Sequence, residues 1–600
     1  MRSDRPTRHS DVEPDARYNS DAIAEALQSL ELDYLALNPG ASYRGLHDSI
    51  VNLLGNEQPT MLLCLHEEHA VAVAHGYAKV TERPMVVAVH SNVGLMHATM
   101  ALYNAWCDRV PMVVLGATGP LDANQRRPWI DWIHTAVDQA ALIRPYVKWD
   151  AQALSAQAAV DSLVSGYIRS WTYPCAPVYI NLDAAMQEAE LPEPARLPEP
   201  SRHRPVPPPA PRPESVQSLV AMLEEAQRPL FLIGRVSRQL DAWNQRVDLA
   251  ERLGAAVLCD LRTGAGFPSE HPCNPAAPGM FLTPSGTELV RRADLIVSLD
   301  WIDPAGVLKQ AYGDGPVDAK VVSCSMDSVL HNGWSQDHFG LAPVDLEIAS
   351  HPDLLVQELL GGFAATTNTD REAWPPSDLP GSAPLVSADG TRILIGDLGR
   401  AINAALAGQQ ATFVTLPLGF DGSELRVNHP LDYLGHDGGG GVGAGPGMAV
   451  GAALALDGSG RIPVAVLGDG DFLMGNTGLW TASHHELPLL VIISNNSSFF
   501  NDEVHQERVA LHRGRPVENR WVGQRIDDPP PNLPGLARAL GFEAPERVEK
   551  LADLTPTLTD AVRRVAAGGR VLVDVRVEAK GYPGGPGPGR SASVAGAAAE

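Results

Sequence analysis

Residues 461–502 read RIPVAVLGDGDFLMGNTGLWTASHHELPLLVIISNNSSFFND. The apolar run Val464–Leu467 predicts a buried strand that stops at Gly468-Asp469-Gly470, and Leu489–Ile493 predicts a second strand ending at Asn495-Asn496. A helix-like stretch lies between them. Asp469 and Asn496 are 27 residues apart, the length of one crossover unit, so parallel strands would bring both side chains to the same carboxyl edge. That edge is where open α/β sheets bind ligands. A carboxylate and an amide oxygen are hard ligands, and Mg²⁺ takes few such groups from protein and the rest from phosphate and water. Gly470 lets the backbone approach a phosphate closely, and the helix start after it supplies free N–H groups. GDG or NN alone reads as an ordinary turn; their joint spacing between two strands points to a diphosphate anchored through a metal.

The same alternation of aliphatic runs and amphipathic segments extends outward through the chain. PMVVAVH and PMVVLGA lie in the first third, RPLFLIG and ADLIVSLD in the middle. Buried parallel sheets with helices on their faces produce this pattern. The proline-dense stretch at 191–213 predicts an extended spacer, a second linker is expected over 363–390, and the Gly/Pro/Ala-rich end, 581–600, predicts a flexible tail. Three α/β domains remain, at 16–190, 214–362 and 391–580.

Composition sets limits on function. Forty-six basic against 71 acidic residues give a net charge of −25, which removes general attraction to nucleic acid or to anionic membrane. Six scattered cysteines without a C-x-x-C pair predict a reducing, cytoplasmic setting. Neither the N-terminal stretch nor any later apolar run has the form of an export signal or a membrane span.

With about two dozen residues between GDG and NN, the segment resembles the thiamine-diphosphate signature of the acetolactate synthase and benzoylformate decarboxylase family. The resemblance covers roughly residues 16–580. LHEEHAVAVAHGYAKV is similar to the family's glutamate helix, whose acid stands nine residues before a Gly-Tyr pair; Glu67 and Gly76-Tyr77 satisfy this, with Glu68 expected to be a solvated neighbour. Asn38-Pro39-Gly40, Val89–Leu115 and FPSEHP (Phe267–Pro272) extend the match. A zinc site on the glutamate helix is disfavoured, because His66 and His69 are three residues apart and not four.

The resemblance implies a pyrimidine-binding domain, a Rossmann-like central domain and a diphosphate-binding domain. It implies Asp469, Asn496 and Ser498 as Mg²⁺ ligands, Gly470 and Asp471 near the diphosphate, and Gly440 and Val442, within DGGGGVGAGPG, against the pyrimidine ring. Asp471 departs from the family's small or hydroxyl residue, and a second carboxylate there would repel phosphate unless turned away. Glu67 is implied as the acid that protonates the aminopyrimidine. His90 and His271 are the candidate acid–base histidines. The decarboxylase branch places a serine directly after Asn-Pro-Gly, where this chain has Ala41 and then Ser42, so the acid–base set is incomplete as read. His484-His485 read as surface or packing residues.

The implied activity is decarboxylation or carboligation of a 2-oxo acid through an enamine. The alternatives are an acetolactate-synthase-like transferase and a non-catalytic, cofactor-binding regulatory relative. The central domain shows no G-x-G-x-x-G, so FAD is possible but not favoured. A homodimer or homotetramer is implied, in which Glu67 of one copy meets the cofactor held by another.

Overall fold

The computed structural model describes residues 1–7, 17–327, 341–363, 371, 374 and 392–578. The expected linker at 363–390 lies almost wholly outside the described residues, and the expected tail at 581–600 lies entirely outside them. Three sheets follow one another along the chain, every strand pairing within them is parallel, and helices flank each sheet.

The first sheet contains β1 (Tyr34–Leu37), β2 (Thr60–Leu63), β3 (Met85–Val89), β4 (Met112–Thr118), β5 (Trp149–Ala153) and β6 (Pro177–Asp183), in the order β2-β1-β3-β4-β6-β5. The central sheet contains β7 (Pro229–Ile233), β8 (Ala256–Cys259), β9 (Leu295–Leu299), β10 (Lys320–Cys324) and β11 (Leu346–Ile348), in the order β11-β10-β9-β7-β8. The third contains β12 (Ala411–Thr415), β13 (Ile462–Gly468), β14 (Leu489–Asn495) and β15 (Arg570–Arg576), in chain order. Strands β3, β4, β6, β7, β9 and β14 are buried along their whole length, which is why they read as unbroken apolar runs. β13 and β14 extend past the predicted apolar runs, because the ladder pairs Gly468 with Ser494 and Asn495 with Arg576.

The first and third sheets share one core. The helix Glu67–Thr81, carrying Ala70, Val71, Val73, Ala74 and Ala78, packs in the same buried cluster as Ala449, Val450, Ala453 and Leu454 of the helix Gly445–Leu456. The second helix is apolar and buried almost all round, starts with Pro446 in its first turn, and is therefore a core helix rather than a surface one. Glycine allows the two backbones to touch. A Cβ on Gly76 would overlap the Met448 carbonyl, and one on Gly451 would overlap the Val73 carbonyl.

The central domain is joined to the first by buried charges. Its strand order reverses between β9 and β7, and at that switch point Asp300 accepts hydrogen bonds from Arg235 (3.2 Å) and from Tyr173 of the first domain (3.0 Å). Asp327, following β10, is held by Arg235 at 2.9 Å and by Arg109 of the first domain at 2.6 Å. Burial would raise the Asp327 carboxyl, but Arg235 and Arg109 outweigh it and hold it well below the usual carboxylate range.

Two substitutions test this framework. Gly451→Ala is expected to cost about 1–3 kcal/mol of overpacking, read as a lowered thermal midpoint. Asp327→Asn strips two buried guanidinium groups of their carboxylate and is expected to cost about 3–5 kcal/mol by urea denaturation. Because the folded state depresses this carboxyl, its contribution is complete above an unfolded pKa of about 3.9 and is lost as pH falls further. The wild type and Asp327→Asn should therefore converge in stability on acidification.

Candidate active site: two half-sites on one chain

β13 ends at Gly468 and a helix begins at Asp469. β14 ends at Asn495, and Ser497 takes a left-handed conformation (φ 57°), which is costly for a serine and turns the chain sharply back after Asn496. This turn lets the Ser498 N–H reach Asn496 Oδ1 at 3.0 Å. Asp469 and Asn496 thus stand at one edge of one sheet and line a common cavity of about 330 Å³ with Gly440, Val442, Gly470, Asp471 and Ser498. The volume is in the range of small-ligand sites.

Asp469 is 4% exposed, and no cationic side chain pairs with it among the described residues. Burial pushes its carboxyl up to about 6, opposed by the N–H groups of Asp469 itself, Gly470 and Ser498. A buried carboxylate stabilised only by backbone dipoles is a ready seat for a cation. Asp471 is different. Its carboxylate accepts the Gly443 N–H at 2.6 Å and also the Gly445 N–H, so it is turned toward the glycine run and holds it in place. Burial raises this carboxyl to about 6 as well.

The glycine run is fixed from both sides. Asp437 accepts the Gly440 N–H at 2.7 Å, and Asn104 of the first domain accepts the Gly441 N–H at 3.2 Å. Lys79, from the Glu67 helix, donates to the His436 carbonyl just before the run and to Asp108 at 2.5 Å. Gly440 has φ 73° with open space where a side chain would point, and Val442 stands exposed in the cavity wall.

The second half-site lies on the first sheet. Glu67 opens its helix, 6% exposed, with its carboxylate accepting from His97 Nδ1 at 3.0 Å. Glu68 is half-buried rather than solvated, and burial, followed by nearby Asp471, raises its carboxyl. His90 follows β3, and its ring lies over Gly40, where any Cβ would overlap it. Ser42 Oγ is 2.8 Å from His90 Nδ1, and His134 packs edge-on at 4.8 Å. Burial lowers the His90 imidazole, and His134 lowers it further. Ser42, in the 3-10 turn Ala41–Tyr43, is thus the serine that meets His90, one residue after Ala41. Sequence reasoning missed His97 and His134. For His134 the available signal was a histidine in the connection following β4.

His271 joins neither half-site. The FPSEHP loop docks on the C-terminal domain through Ser269, whose N–H donates to the Val427 carbonyl at 2.8 Å. The His271 Nδ1 accepts the Cys273 N–H (3.2 Å) and its Nε2 faces Glu251 (3.2 Å), so both nitrogens are engaged locally. His485 is buried with Nδ1 on the Arg2 carbonyl, and His484 pairs with Asp4, which makes both of them packing partners of the N-terminal segment.

Comparison with known proteins follows the same division of the chain. Models of the thiamine pyrophosphate enzymes match in order: the N-terminal TPP binding domain over residues 19–142, the central domain over 216–327 and the C-terminal TPP binding domain over 421–575. The chain is 25% identical over 577 residues to the acetolactate synthase large subunit of Corynebacterium glutamicum, covering 91% of this chain and 85% of that one. It is 26% identical over 451 residues to the benzoylformate decarboxylase of Pseudomonas aeruginosa, covering 73% and 79%. The solved benzoylformate decarboxylase of Polynucleobacter necessarius superposes with a TM-score of 0.74 at 20% identity, over 94% of this chain and 100% of that one. The thiamine diphosphate-dependent 4-hydroxybenzoylformate decarboxylase of Rhodococcus jostii RHA1 gives 0.73 at 22%, over 94% and 99%. With all three regions matched in sequence and the whole architecture matched in space, the chain belongs to the family of thiamine-pyrophosphate-dependent enzymes that includes acetolactate synthase and benzoylformate decarboxylase.

Proposed function

We propose that this protein decarboxylates or carboligates a 2-oxo acid, with thiamine diphosphate held through Mg²⁺ at the edge of the third sheet and Glu67 supplied by a second copy of the chain. The observation that carries this reading is the cavity where buried, cation-free Asp469 meets Asn496. The donor set fits the group: hard oxygens for the metal, N–H groups at the helix start for the diphosphate, and the open Gly440 and Val442 for the ring end. Asp469, Asn496 and Ser498 would hold the metal and Gly470 would face the diphosphate, while Asp471 acts from behind by fixing the glycine run.

Thiamine diphosphate supplies the electron sink for breaking a bond beside a carbonyl. The protein's own part is proton handling and orientation. Glu67 would exchange a proton with a ring nitrogen, and the hydrogen-bonded pair Ser42–His90 would hold and transfer a proton at the substrate's polar end. That His90 stands where acetolactate synthases resemble one another in a small hydroxyl residue favours the decarboxylase reading.

Two features support a partner subunit. The cavity is lined by no residue before Ile395, so the chain that holds Asp469 does not offer its own Glu67 there. Around both half-sites stand exposed apolar side chains: Leu65, Val93, Met96 and Met100 near Glu67, and Val442, Met474 and Phe499 near the cavity. A second copy would cover them. The reading does not favour a flavin, because the central domain shows no G-x-G-x-x-G.

Incubating the holoenzyme with a panel of 2-oxo acids and acceptor aldehydes, with products identified by mass spectrometry, tests the activity directly; no turnover of any 2-oxo acid would overturn it. Glu67→Gln is expected to lower turnover by about 10²–10⁴-fold. Asp469→Ala should abolish Mg²⁺-dependent retention of cofactor on dialysis. Mixing these two inactive variants gives the clearest result: a symmetric interface leaves one intact site in each mixed dimer, so activity returns in part. If each site lay within one chain, mixing would restore nothing.

A further inference from the structure

We propose that Gly94 and His97 form the seat that aims the Glu67 carboxylate, glycine providing the space and histidine the hydrogen bond; this rests on the reading of Glu67 given above. The two residues lie three apart on the helix Ser91–Cys107, which puts them on one face. His97 Nδ1 stands 3.0 Å from Glu67 Oε2. A carboxylate only accepts, so Nδ1 carries the proton and the imidazole donates. On the other side, a Cβ at position 94 would stand 2.8 Å from Glu67 Oε1 and 3.1 Å from its Cγ. Any side chain there would displace the carboxylate. One oxygen is therefore tied to His97, while Oε1 has no hydrogen-bond partner among the described residues and is left to meet a ring nitrogen.

The His97 imidazole is itself held in plane. His66 stacks on it with ring centres 4.7 Å apart and planes 21° from parallel. His66 in turn is anchored by accepting the Glu68 N–H on Nδ1 at 3.1 Å, as the cap of the Glu67 helix. His66, Glu67 and His97 have ligand atoms within 4.8 Å of one another, but the His66 lone pair on Nδ1 is engaged by the Glu68 backbone N–H and His97 Nδ1 faces the Glu67 carboxylate, so the contacts present are those of a held carboxylate. His97 is thus a positioning residue: it acts through Glu67.

The test compares Gly94→Ala, His97→Leu, His97→Asn and Glu67→Gln in two measurements. In the reconstituted holoenzyme, the rate at which the cofactor's C2 proton exchanges with deuterium is read by NMR after acid quench. Gly94→Ala and His97→Leu are expected to slow exchange by about 10²-fold, the penalty of a small misplacement at a reacting group. His97→Asn keeps an N–H donor and should recover most of the rate. In the cofactor-free protein, side-chain ¹⁵N shifts of His97 should report the Nδ1–H tautomer, shifting toward Nε2–H in Glu67→Ala. If Gly94→Ala does not fold, His97→Leu, at a side chain 57% exposed, decides alone. Wild-type exchange in His97→Leu together with loss in Glu67→Gln would overturn the seat and leave the proton relay standing. Wild-type exchange in Glu67→Gln would overturn the relay itself. An Nε2–H tautomer in the wild-type apo protein would overturn the seat.

Discussion

Backbone contact between the helices Glu67–Thr81 and Gly445–Leu456 is the constraint on which the site depends. Gly76 and Gly451 remove the side chains that would keep the helices apart, and the alanines around them fill the narrow seam. Each helix carries a part of the proposed site at its N-terminal end. Glu67 begins the first, and the glycine run with Gly440 and Val442 leads directly into the second. Close packing of rigid helices therefore fixes both half-sites at once, and the shared core makes the first and third domains a single mechanical unit.

Within that frame, the buried acids divide by partner. Asp108 and Asp327 sit against lysine, histidine or arginine; burial would raise them, but these cations hold both carboxyls below their usual range. Asp327 ties the central domain to the first through Arg109, whereas Asp108 is paired inside the first domain with His75 and Lys79. Asp469 and Asp471 form no salt bridge among the described residues and take their hydrogen bonds from backbone N–H groups, and burial pushes both up to about 6. The difference is functional. Asp471 uses its oxygens on the glycine run and is satisfied inside the protein. Asp469 pairs with no cationic side chain among the described residues and stands at the rim of a cavity that also offers amide oxygen and helix-start N–H groups, the donor set on which the proposed Mg²⁺ site rests.

The candidate acid–base groups show the same dependence on packing. Ser42, His90 and His134 come from a 3-10 turn, the end of β3 and the connection after β4, and meet only because β1, β3 and β4 are neighbours in the sheet. Gly40 gives the His90 ring its space, as Gly94 gives space to Glu67. At both places a glycine in the sequence is the imprint of a side chain from elsewhere that has to lie there.

The sequence alone determined the parallel α/β class, the strands β13 and β14 and the placement of Asp469 and Asn496 at one edge, because buried strands write themselves as apolar runs and a crossover unit has a characteristic length. Glu67 was singled out by the resemblance of its helix to the family's glutamate helix, through its distance to Gly76-Tyr77. Only the tertiary structure decided what meets across the chain. The helix Gly445–Leu456 is apolar on every side, so no periodicity could tell which face would meet the Glu67 helix. His271 looked eligible by its local motif, yet the docking of its loop through Ser269 and Val427 keeps it away from both half-sites. Local pattern encodes which face of an element is buried, whereas contacts between residues 30 to 408 positions apart, such as Glu67 with His97 or His69 with Thr477, arise only once strand order and helix approach are set.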